Sequence, residues 1–140
     1  MTAHRAPTLL RVLDREGYGV RVTPYGSVGA VLDSESTEVV WVAKQDEAID
    51  PDWFCQPDTD VLCVLQGQLR VEFADEAEPD MTLSPGDVLV LPPNTACRAY
   101  SWPRGPAQRT MFLAVTAREG TRPPGHGDGA PGPGNGQSDR

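Results

Sequence analysis

The feature that most limits what this chain can fold into is the shortness of its apolar segments, none of which exceeds five residues. The longest are 39–43, 61–65 and 111–115, and segments 28–32, 69–73 and 88–91 repeat the pattern between turn residues. A membrane-crossing helix needs about 20 apolar residues, and the core of a signal peptide about 7 to 15. No window of helical length sustains a 3.6-residue period. Val, Leu and Phe instead dominate pieces of strand length, which predicts β-structure. Leu69, Val71 and Phe73 alternate with Gln68, Arg70 and Glu72, as in a half-buried strand. VLCVL and VLVL are apolar on both faces, the pattern of strands covered by a second sheet or a partner chain. Gly67 lies between two strand candidates, Pro85-Gly86-Asp87 reads as a turn, and Pro92-Pro93 ends the strand before it. The expected class is therefore all-β, closed as a sandwich or a small barrel.

Composition sets the limits of the folded part. From residue 120 onward, 11 of 21 residues are Gly or Pro, and none is Val, Ile, Leu, Phe, Tyr or Trp. Such a segment cannot bury enough apolar surface to offset its ordering entropy. The reading is a flexible lead at 1–7, one β-barrel domain at 8–118 and a disordered Gly/Pro-rich tail at 119–140. Twenty acidic against 12 basic residues give a net charge of −8, and the bases are scattered singly. That balance predicts no nucleic-acid and no membrane partner. Three scattered cysteines do not make a disulfide framework, so a reduced, cytoplasmic setting is expected. Acids cluster in two stretches, Asp46 to Asp60 and Glu72 to Asp80, without the ordered spacing of a calcium loop.

The stretch from Trp53 to Ser101 carries two motif frameworks. In the first, Gly67 closes DVLCVLQG, with Asp60 seven residues before it. In the second, Gly86, Pro92, Asn94 and Cys97 are spaced through PGDVLVLPPNTAC. Together these resemble the cupin superfamily, which implies a jelly-roll β-barrel ahead of the disordered C-terminal tail that composition predicts. The family's metal site, three histidines and a carboxylate, would map onto Asp60, onto Cys97, and onto either Trp53 and Cys55 or Phe54 and Gln56. This chain has two histidines, His4 and His126, both outside the expected barrel. The usual iron, manganese or nickel chemistry would lack its ligands there.

What stands at those positions can be read in several ways. Cys55 and Cys97 are small apolar fillers, or with Asp60 they hold zinc or copper(I), or they join as a disulfide. Cys63 is out of phase with Asp60 and Leu62 and should face away. Asp60 accepts hydrogen bonds at a pocket mouth, or it acts as a general base. The expected ligand pocket comprises Trp53, Cys55, Asp60, Leu62, Cys97 and Ala99, with aromatic residues near its mouth. The function expected is a cupin-fold protein that binds a small organic molecule, lacks the three-histidine site, needs no cofactor and pairs as a homodimer. The alternative is a small lyase, isomerase or cyclase using Asp60 as acid/base, with zinc or copper on Cys55 and Cys97.

Overall fold

The computed structural model describes residues 6–14, 20–45, 49–105 and 109–118. The tail expected at 119–140, both histidines and most of the 1–7 lead lie outside the described residues. Nine strands and no helix make up the described chain: β1 (Val20–Thr23), β2 (Gly26–Asp33), β3 (Thr37–Gln45), β4 (Thr59–Gln66), β5 (Gln68–Phe73), β6 (Met81–Leu83), β7 (Val88–Leu91), β8 (Cys97–Trp102) and β9 (Arg109–Ala117). They form two antiparallel sheets, one ordered β1-β2-β3-β9-β4-β7 and the other β6-β5-β8. All six apolar segments singled out in the sequence lie in strands. The other three, β1, β6 and β8, are shorter or carry polar residues on alternate positions, so their apolar signal is weak.

Period-two alternation explains the core. Val40 and Val42 of β3, Leu62 and Val64 of β4, and Phe112 and Ala114 of β9 face inward from the larger sheet. Leu69 and Val71 of β5, Leu83 of β6, and Cys97 and Ala99 of β8 meet them from the smaller one. The intervening residues of β3 and β9 face the other way. There Trp41, Ala43 and Met111 form a second cluster, against which Val12 of the N-terminal segment packs. Cys63 pairs in register with Leu113, which packs against that second cluster, so it too faces away from the barrel interior.

Two glycines make this geometry. Gly67 sits where the chain leaves the larger sheet at the end of β4 and enters the smaller one as β5. Its φ of 74° suits glycine, and a Cβ there would lie 2.3 Å from the Arg109 carbonyl oxygen. Gly29 pairs with Trp41 across β2 and β3, and the indole lies where a Gly29 side chain would be. The expected double-faced burial of VLVL is not met within one chain, because β7 is an edge strand with Val88 and Val90 more than half exposed.

Candidate functional site

The connection from β3 to β4 builds the interior. It runs along the free edge of β8, with isolated bridges at Ile49–Tyr100 and Phe54–Cys97. The second is a full pair, Phe54 N donating to Cys97 O at 2.7 Å and Cys97 N to Phe54 O at 2.9 Å. Strand-like alternation then turns Phe54 and Gln56 inward, both buried, and leaves Trp53 and Cys55 on the more exposed side. Of the two alignments left open by the sequence, the structure therefore supports Phe54 and Gln56 as the inward pair. Trp53 is stacked under the Arg98 guanidinium, 4.4 Å from the ring centre.

Asp60 is fully buried at the start of β4. Thr116 links it to Gln56: the Thr116 hydroxyl lies 3.5 Å from Asp60 Oδ1, and Gln56 Nε2 lies 3.5 Å from the same hydroxyl. The inward donor set at the motif positions is thus an aromatic ring, an amide, a carboxylate and a thiol. Among the described residues no three His, Cys, Asp or Glu side chains are grouped so that they could hold a metal ion. Cys55, Asp60 and Cys97 do not converge, and this set does not fit the three-imidazole site of the family.

A buried ion pair that the sequence reading missed lies nearby. Lys44 Nζ donates to Asp50 Oδ1 at 2.5 Å and to the Tyr25 carbonyl, while Asp50 Oδ2 accepts from Ala99 N at 2.9 Å. Lys44 is 2% exposed. The signal was present, since Lys44 falls in phase with Val40 and Val42 on the inward face of β3. Asp50 thereby ties the connection to β8 from inside the barrel.

Two cavities flank these groups. The inner one, about 20 Å³, is lined by Tyr25, Val42, Lys44, Asp50, Phe54, Leu62, Cys97, Ala99 and Phe112. It has room for about one water molecule. Leu62, Cys97 and Ala99 of the expected pocket line it, but Trp53, Cys55 and Asp60 do not. The second is an open cleft of about 400 Å³ between the ends of β5 and β7 and the loops at 74–80 and 92–96. Phe73, Met81, Leu89, Leu91 and Pro92 give it apolar walls, and Asp75, Glu78, Asn94 and Thr95 supply polar groups. Register places Phe73 opposite Cys97 and Leu91 opposite Asp60, so the cleft adjoins the motif positions.

On the outer face of the smaller sheet, Tyr100 donates to Glu72 Oε2 at 2.5 Å and Arg98 to Glu72 Oε1 at 3.0 Å. The tyrosine hydrogen bond, helped by Arg98 and opposed by burial, holds the Glu72 carboxyl below its ordinary 4.5. Burial first, then the glutamate, pushes the Tyr100 hydroxyl above 10.0. A lowered folded-state pKa contributes stability above the unfolded value, which is lost as pH falls through the folded one. Glu72→Gln is therefore expected to flatten the acid limb of melting temperature against pH below about pH 5. The Tyr100 contribution has the opposite sign and is lost as pH rises through its raised pKa. An unchanged acid limb in Glu72→Gln would show that the carboxylate is not held this way.

No protein-family model matches this sequence, and no curated protein does either. Solved structures do match. A putative mannose-6-phosphate isomerase from Ralstonia eutropha superposes with a TM-score of 0.62 at 16% identity, over 81% of this chain and 100% of that one. An RmlC-like cupin with a double-stranded β-helix fold from Methanocaldococcus jannaschii gives 0.57 at 12% identity, over 84% and 93%. A cupin-like protein from Thermotoga maritima gives 0.53 at 21% identity, over 66% and 69%. The likeness is one of fold, and that fold is the cupin barrel. Among the described residues no helix is long and apolar enough to cross a membrane.

Proposed function

We propose that this cupin barrel is a metal-independent binding protein whose small organic ligand occupies the mouth cleft and not the barrel centre. The observation that carries this reading is the contrast in volume. The centre, closed by Phe54 and the Lys44–Asp50 pair, leaves about 20 Å³, whereas the cleft offers about 400 Å³. Ligand sites are commonly about 300 to 1,000 Å³, with mostly apolar walls and a few polar groups. Absence of metal rests on the donor set, which supplies one carboxylate and one thiol among the inward motif positions and no imidazole.

Chemistry narrows the ligand class. Asp75 and Glu78 are the charged residues lining the cleft, and among the described residues no Lys, Arg or His lines it. A neutral or cationic molecule with a compact apolar body suits that lining, whereas a phosphorylated sugar would meet two carboxylates and no base. The substrate class in the Ralstonia eutropha protein's name is for this reason not carried over. Titration calorimetry against matched sets of small amines, neutral alcohols and carboxylates tests the reading. Amines or neutral compounds should bind, and Ala96→Trp, which fills the cleft from its wall, should weaken them at least about tenfold. Preference for carboxylates, or binding unaffected by Ala96→Trp, would remove the cleft as the site.

A further inference from the structure

The mouth cleft runs along the edge of a strand. Leu89 and Leu91 pack toward the core and Val90, 57% exposed, points out of the sheet, yet all three line the cleft. Residues from both faces of one strand share a cavity only where it lies beside their backbone. β7 has β4 on one side and no strand on the other. The facing wall is Met81 of β6, the edge strand of the smaller sheet, with Phe73 at the end of β5.

Register identifies the open main-chain groups. Val64 N donates to Asp87 O at 3.2 Å, and Gly86 N donates to Val64 O at 3.0 Å. Bonded and non-bonded pairs alternate along an antiparallel ladder, so Leu62–Leu89 and Asp60–Leu91 are the bonded pairs that follow. Val88 and Val90 therefore turn their N–H and C=O groups away from β4, to the side of the cleft. Other edges carry the usual protection. The 49–56 connection bridges to β8, β6 has only three residues, and β1 carries Arg21. The edge of β7 is four uncharged residues, VLVL.

We propose that the ligand of the cleft is an extended peptide segment with a basic side chain, which adds to β7 as a further strand. This rests on the cleft being the binding site and names its ligand class. Val88 and Val90 would supply four main-chain hydrogen-bonding groups, and Phe73 and Met81 an apolar wall for alternate side chains. Charge selects a cation, since the chain stands at −8 and the loop beside the cleft contains Asp75, Glu76, Glu78 and Asp80. Arg70 pairs with Asp80, and Asp75 Oδ1 accepts from Ala77 N, which leaves Glu78 as the lining carboxylate to meet the basic group.

Calorimetry on the full chain tests this with a capped pentapeptide, lysine–valine–threonine–valine–lysine, beside small amines. Methylating one alternate set of its amide nitrogens should weaken binding at least about tenfold, and methylating the other set less than about threefold, because a strand turns every second N–H to its neighbour. Exchanging its lysines for glutamate should also weaken binding at least about tenfold, and Glu78→Gln in the protein at least about threefold. Val90→Pro removes an N–H that β4 does not use and should weaken the native peptide at least about tenfold. Where that change lowers the melting temperature, the methylated peptides on the unaltered protein carry the test. Binding of amines but not of the peptide, or equal binding of both methylated sets, overturns the strand pairing and leaves the cleft as the site. Binding of neither amines nor peptide removes the cleft and the proposal with it. Light scattering that shows two copies joined, and parted by Val90→Pro, would assign the edge to a second copy and overturn the proposal as well.

Discussion

Lys44→Ala is expected to cost about 3–5 kcal/mol of folding stability in urea denaturation, and Asp50→Ala a similar amount. The pair is inside the barrel, with side-chain exposures of 2% and 8%. Removing either partner strands the other as a buried charge, which is the expensive way to break such a pair. Asp50 carries a second burden, since its Oδ2 takes the Ala99 amide and so holds the β3–β4 connection against β8. The double replacement Lys44→Met with Asp50→Leu should cost far less than the sum. What remains is the Ala99 N–H without its Asp50 acceptor and the Tyr25 carbonyl without its Lys44 donor, each worth about 1–3 kcal/mol. A double-mutant cycle measures this directly. Single variants that lose less than about 1 kcal/mol would mean that the pair contributes little to holding the barrel closed.

Trp41→Ala should cost about 3–5 kcal/mol, checked by the same denaturation. The indole is fully buried against Gly29, with Ala43, Met111 and Val12 around it. Its Nε1 has no hydrogen-bond partner among the described residues, so deletion also removes an unsatisfied donor and the loss should fall in the lower half of that range. The converse change, Gly29→Ala, would put a methyl 2.3 Å from the ring carbon Cε2 and from Nε1. Overpacking of that kind costs about 1–3 kcal/mol or more. Because both changes act on one contact, they should not add: in a Trp41→Ala background, Gly29→Ala should be harmless or stabilising. Additive losses would show that the ring and the glycine do not constrain each other.

Much of the barrel was legible because period-two alternation and turn residues are local signals. Gly67 marked the break between two strands, and the apolar segments 28–32, 39–43, 61–65, 69–73, 88–91 and 111–115 all became strand. The strand β8 was harder to read, because its inward residues Cys97, Ala99 and Ser101 are small and its outward ones are large. The motif spacing located Asp60 and Cys97 in the barrel interior, but it could not choose between Phe54 with Gln56 and Trp53 with Cys55. That choice depends on how the connection pairs with β8, a contact between residues more than 40 apart in sequence. The mouth cleft was not legible for a different reason: its walls all lie between residues 73 and 96, but they face one another only because β5 and β6 join one sheet and β7 the other. Lys44 was overlooked because a charge after an apolar run reads as the end of a strand, when its phase placed it inside.

The position of β9 between β3 and β4 has a consequence for how the chain is made. Those two strands have no contact ladder with each other; each pairs with β9, along 37–45 and 59–66 respectively. During synthesis they emerge first and wait, their inward valines and leucines exposed along open edges, until residues 109–117 arrive. Pairing across such sequence separation is slow, because the loop must close before its contacts reward it. A nascent chain stopped before residue 109 would hold two halves of the larger sheet with nothing to join them.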